Sequence, residues 1–93
     1  LIPKEGVYAV YAYIDEVRYA GMLNIGHRPT VDNGSNLSIE VHILNFSGDI
    51  YNHHMRIEFI EFIRQEQKFD SLEKLITQLN TDRETVSRLL LHS

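Results

Sequence analysis

Seven consecutive residues in the middle of the chain alternate strictly in polarity: Leu37, Ile39, Val41 and Ile43 are apolar, and Ser38, Glu40 and His42 between them are polar. A period of two is the repeat of a β-strand, whose successive side chains point to opposite faces. The pattern specifies a strand with one face toward a core and a carboxylate and an imidazole on the other.

The rest of the first two-thirds also reads as strands. Residues 6–13 are rich in β-branched and aromatic side chains, which suit a pleated sheet. Ile14-Asp15-Glu16 makes a short polar turn, and residues 17–25 follow with Val17, Tyr19, Leu23 and Ile25 on one face. The two runs predict a hairpin. Residues 26–36, from Gly26 through Pro29, Asn33 and Gly34, predict a long loop. A turn is expected at 45–49, then a fourth strand from Met55 to Ile63. Its inward set shifts from Ile57 and Phe59 to Ile60 and Phe62, the mark of a bulge.

Two helices are expected in the last third. Asp70, with Glu73 three residues on, caps the first ahead of Leu72, Leu75, Ile76 and Leu79. Thr81 and Glu84 form a second capping box before Val86, Leu89 and Leu90. Strands first and helices last point to an α+β or barrel-plus-helix layout rather than a doubly wound sheet.

Composition narrows the functional classes. At 93 residues the chain suits one domain. It has no cysteine, which excludes disulfides and thiolate zinc sites and is compatible with a reducing cytoplasm. No apolar run approaches the roughly 20 residues that span a bilayer, and no signal peptide is expected from these residues. The opening Leu1-Ile2-Pro3 without methionine predicts a cleaved or cloned piece. A net charge of −4 argues against nucleic acid as a partner.

Three places could hold chemistry. Glu40 sits mid-strand, where a carboxylate is fixed before a substrate arrives and can act as a general base; by spacing alone it also reads as a solvated strand face. Asn24-Ile25-Gly26-His27-Arg28-Pro29-Thr30 could present several donors to a polar or anionic ligand, or be an ordinary loop. Residues 64–70 mix charges with one aromatic, Phe69, in a connector of the kind where binding residues often sit; the other reading is a solvated linker with Phe69 stapled to the helix. His53 and His54 are adjacent on a strand and point apart, so they do not share a metal ion. The tyrosines lie among small apolar residues and read as core rather than base-stacking platforms.

In order, four stretches resemble the riboflavin kinase family: residues 6–10, residues 24–30, residues 39–51 with Glu40-Val41-His42 followed by Phe46-Ser47-Gly48-Asp49, and residues 62–72 with Arg64-x-Glu66-x-x-Phe69-Asp70-Ser71-Leu72. The resemblance covers essentially the whole chain. It implies a mainly β fold, a six-stranded antiparallel Greek-key barrel, incomplete here, with C-terminal α-helices. It implies transfer of the ATP γ-phosphate to the ribityl 5′-hydroxyl of riboflavin, giving FMN, within a bifunctional enzyme that also carries an adenylyltransferase domain. Glu40 matches the family's catalytic base. Arg64 matches the arginine that opens the flavin loop, where it would bind substrate with Phe69 and stabilise charge on the transferring phosphoryl group. The family's glycine-rich Pro-Thr-x-Asn segment, which holds ATP and Mg²⁺, has no match here; Pro29-Thr30 fits a different family loop. Residues 1–93 are therefore expected to be the C-terminal portion of the kinase domain, with no metal or cofactor ligands of their own, inactive alone and prone to self-association through an open barrel edge. The alternative is a non-catalytic barrel that binds flavin or a partner.

Overall fold

The computed structural model describes residues 3–29, 31–32, 34–46, 48 and 53–91, without the side chains of Arg28, Pro29 and Ser35. Thr30, Ser47, Asp49 and Tyr51 of the family-like motifs lie outside the described residues. Four strands and one helix follow in chain order: β1 (Gly6–Ile14), β2 (Val17–Pro29), β3 (Ser35–Ile43), β4 (Met55–Arg64) and α1 (Leu72–Leu90). The strands form one antiparallel sheet in the order β3-β2-β1-β4. The fold is mainly β, as expected.

The β1–β2 hairpin closes at Ile14 opposite Val17, leaving Asp15 and Glu16 as a two-residue loop. Both have positive φ, 51° and 69°. That is the requirement of a type I′ turn, whose twist matches the strands it joins. The expected 26–36 loop is much shorter, because β2 runs on to Pro29 and β3 begins at Ser35. Polar and turn-forming residues hid this extension; the pairing of Gly26 with Ser38 and His27 with Leu37 outweighs their local preference.

The expected bulge in β4 is real, and there are two. The register jumps from Val10↔Phe59 to Ala9↔Glu61 and from Tyr8↔Phe62 to Val7↔Arg64, so Ile60 and Ile63 are the extra residues.

The C-terminal helices are one helix. Ser71, not Asp70, is its N-cap: its side chain accepts from the Lys74 amide at 3.2 Å. Thr81 caps nothing; its hydroxyl donates back to the Thr77 carbonyl at 3.1 Å, as mid-helix threonines do. Leu75, Leu79, Asp82, Val86 and Leu90 form one helical stripe. Its lower end packs on the sheet, with buried Val86 and Leu90 against Ala9, Ala20, Met22 and Leu44. Ala9 and Ala20 are small enough to let the helix approach, and the Tyr11 hydroxyl donates to the Leu90 carbonyl at 3.3 Å.

The opposite face of the sheet carries Tyr8, Val10, Leu23 and Ile25, with Val41, Ile57 and Phe62 packed on them. Tyr8 meets both Phe59 and Phe62 edge-on at 5.2 Å. Leu37 and Ile39 were expected in this core but are 38% and 56% exposed. They lie on the edge strand β3, where among the described residues no further strand covers them.

Glu16 adopts a left-handed conformation that costs a side-chain-bearing residue about 1 kcal/mol and glycine almost nothing. Glu16→Gly should therefore raise stability by about 1 kcal/mol, a melting-temperature gain of roughly 4–8 °C in a domain of this size. Thermal unfolding followed by circular dichroism checks this; an unchanged or lower midpoint would mean the turn is not under strain.

Candidate functional site

The sheet register sets four side chains in one line. Glu40 on β3 pairs with Asn24 on β2, Asn24 with Val7 on β1, and Val7 with Arg64 on β4. Neighbouring strands lie about 4.8 Å apart, so the two ends of this row are about 14 Å apart along the sheet. All four line one cavity of about 430 Å³, within the range that small-molecule sites occupy. The cavity lies between the helix-facing side of the sheet and a wall made by the connector after β4 and the first half of α1. Phe69, Leu75 and Leu79 supply its apolar wall, and His42 sits one row beyond Glu40.

Three of the residues singled out from the sequence, Glu40, Arg64 and Phe69, thus line the same cavity, Glu40 and Arg64 from opposite ends of the row. Glu40 is exposed and accepts from the Ser38 hydroxyl at 3.3 Å. The Phe69 ring centroid lies 6.0 Å from the Arg64 guanidinium carbon, the outer limit of a cation–π contact.

Arg64 is held side-on by a residue that sequence reading missed. Its Nε donates to both carboxylate oxygens of Asp82, at 3.0 and 3.2 Å, and Nη2 donates to Oδ2 at 2.8 Å. The Gln78 amide donates to Asp82 Oδ1 at 3.0 Å. Asp82 is only 2% exposed. Nη1 donates to the Gln65 carbonyl at 3.1 Å, which fixes the direction in which the connector leaves β4. Of the five N–H donors of an arginine, Nε–H, one on Nη1 and one on Nη2 are used, and two are left.

The connector meets β2 at Gly26 through a side chain. A Cβ there would overlap the Glu66 carboxylate, so Gly26 leaves room for the tip of that exposed side chain. Gly26 to Pro29, expected in the loop, belong to β2, and Asn24 lines the site from that strand.

His53 pairs with Asp15 at the far hairpin end, its Nδ1 2.7 Å from Oδ2, away from this cavity. Among the described residues no three histidine, aspartate or glutamate side chains gather to hold a metal ion. No helix among them is long and apolar enough to cross a membrane.

Comparison with known proteins was decisive for the family. The model of the riboflavin kinase (flavokinase) family matches residues 1–90. The chain belongs to the riboflavin kinase family. It is 43% identical over 81 residues to the bifunctional riboflavin kinase/FMN adenylyltransferase of Pseudomonas fluorescens, covering 87% of this chain and 26% of that protein. It is 44% identical over 82 residues to the enzyme of the same name from Listeria monocytogenes, covering 88% and 26%. A Bacillus subtilis protein named as an RNA-binding riboflavin kinase, RibR, is 34% identical, over 91% of this chain and 37% of that one. Among solved structures, a Streptococcus pneumoniae chain named as a macrolide-efflux protein superposes with a TM-score of 0.83 at 35% identity, over 92% of this chain and 28% of that one. The chain spans about a quarter of the length of the bifunctional relatives it matches.

Within this riboflavin kinase fold, Asp82→Ala would strip Arg64 of its carboxylate while leaving the guanidinium largely enclosed. Breaking a buried pair this way costs about 3 kcal/mol. The denaturant midpoint of the variant should fall accordingly, whereas a loss below about 1 kcal/mol would place Asp82 among ordinary surface carboxylates.

Proposed function

We propose that this chain forms the flavin side of a riboflavin kinase active site, in which the Glu40 carboxylate takes the proton from the ribityl 5′-hydroxyl as that oxygen attacks the γ-phosphorus of ATP and ADP departs. The observation that carries the reading is the register row: the family's glutamate and arginine stand at the two ends of one cavity floor, and Phe69 stands above the arginine end. A rigid strand holds Glu40 in place, as general-base catalysis requires. The apolar wall of Phe69, Leu75 and Leu79 suits the tricyclic flavin ring. Arg64 offers its two remaining donors with most of its orientation already set by Asp82.

ATP and magnesium enter the proposal as partners in the assembled enzyme. The donor set of a magnesium site is not gathered among the described residues. We propose that residues 1–93 alone bind flavin without phosphorylating it. Nucleic acid is not among the proposed partners of this chain: one relative is named as RNA-binding, but a net charge of −4 offers no overall electrostatic drive toward phosphates. The setting that fits this reading is the cytoplasm.

Strands β3 and β4 form the two edges of the sheet among the described residues, and Ile39 and Phe59 on them are exposed. Unpaired edges recruit other strands, and we propose a second copy of the chain as the occupant. Light scattering across a concentration series should show mass increasing beyond a monomer; a strictly monomeric species at high concentration would overturn this.

In a complete enzyme carrying this domain, Glu40→Gln should lower kcat by roughly 10²–10⁴-fold with flavin affinity little changed. Near-normal turnover would remove Glu40 from the chemistry and leave a non-catalytic flavin-binding barrel as the better reading. Quenching of riboflavin fluorescence should weaken in both Arg64→Ala and Phe69→Ala, and wild-type quenching in both would move the flavin site elsewhere.

A further inference from the structure

We propose that the side-chain carbonyl of Asn24 reads the substrate's sugar-alcohol chain, accepting a hydrogen bond from a ribityl hydroxyl next to the one that Glu40 deprotonates. The inference rests on the flavin reading above and adds a specificity-determining residue to it.

Asn24 Oδ1 is buried and finds no hydrogen-bond partner among the described residues, where no other buried side-chain nitrogen or oxygen is left so. Folded proteins pair such atoms almost without exception, because an unpaired one forfeits its hydration and gains nothing in return. Asn24 lines the cavity, and its amide oxygen, with two lone pairs, is an acceptor for which the described residues supply no donor.

The register states which donor. Asn24 lies directly opposite Glu40, and side chains so paired have Cβ atoms about 4.5–5.5 Å apart. On its other side stands Val7, which has no polar atom to offer, and beyond Val7 comes Arg64 with Phe69 over it. Read along the row, the floor is carboxylate, amide carbonyl, apolar, then guanidinium beneath an aromatic. A riboflavin molecule laid along it with its terminal hydroxyl at Glu40 and its ring at Phe69 carries the inner hydroxyls over Asn24. Hydroxyls are donors, and the orphan carbonyl is what meets them. A flavin without the polyol has nothing to place there.

Lumiflavin, which has the same ring and a methyl in place of the ribityl chain, separates this role from general support of the cavity. The chain is titrated with riboflavin and with lumiflavin, wild type against Asn24→Leu, a substitution of similar size that removes the polar atoms. Loss of one such hydrogen bond should weaken riboflavin binding by about tenfold, with lumiflavin binding unchanged. The ligand-free variant should melt no lower than wild type, because a buried unpaired acceptor has been replaced by an apolar group. Should the leucine variant fail to fold, Asn24→Ala carries the same expectation for the two flavins. Riboflavin binding at wild-type strength in the variant, or equal loss of both flavins, would overturn the assignment. A wild-type chain that binds riboflavin no better than lumiflavin overturns it too and leaves the flavin reading standing; one that binds neither overturns both.

Discussion

The rest of the site depends on one buried ion pair. Asp82 is almost wholly enclosed, and a carboxylate there is tolerable only because Arg64 supplies a charged, bidentate partner. The pair joins the last residue of the sheet to the middle of the helix. It sets the rotation of α1, since Asp82 must face β4, and thereby turns Leu75 and Leu79 toward the cavity and Val86 and Leu90 toward the sheet. Through Nη1 and the Gln65 carbonyl it also directs the connector that carries Glu66 and Phe69. Helix, connector and sheet edge are positioned by one guanidinium.

The cavity that results has a stiff floor and a more pliable wall. Glu40, Asn24, Val7 and Arg64 are strand residues whose spacing is set by the hydrogen-bond ladder. Phe69 and Glu66 come from an irregular segment held at its start by the Arg64 guanidinium, with the Glu66 carboxylate lying over Gly26. A polar floor with fixed spacing suits the discrimination of hydroxyl positions, whereas an apolar wall on a short connector suits the packing of a planar ring. The division of labour follows from which elements the backbone itself can hold rigid.

Much of this was legible in the residues. The alternation of 37–43 placed Glu40 and His42 on one face, and the shift from Ile57 and Phe59 to Ile60 and Phe62 announced the irregularity of β4. The order of strands before a helix gave the layout. What was hidden was hidden for physical reasons. Thr81 and Glu84 imitate a capping box, so the helix seemed to break where it continues, and the single apolar stripe that runs through Asp82 was split in two. Yet Asp82 falls in phase with Leu75, Leu79, Val86 and Leu90. A lone acid in an apolar helical stripe is itself a sign of a buried cation, and it could have pointed to Arg64 before any coordinates. The length of β2 and β3 was masked by glycine, proline and asparagine, whose local preference yields to pairing. The isolation of the Asn24 carbonyl has no sequence signal at all, because it depends on what the two neighbouring strands place beside it.

The two bulges of β4 make the strand's length as informative as its composition. Phe62 and Arg64 are two apart and in a regular strand would emerge on the same side. The additional Ile63 sends them to opposite sides, the ring into the Tyr8 cluster and the guanidinium into the cavity. Face assignment in this segment therefore behaves like a reading frame. Loss of Ile60 or Ile63 would straighten the ladder and leave each paired side chain on its present face, whereas loss of a paired residue such as Phe62 would have to be absorbed by using up a bulge. Homologues are thus held to the order of the paired residues Phe59, Glu61, Phe62 and Arg64, and are freer at positions 60 and 63, which pair with nothing on β1.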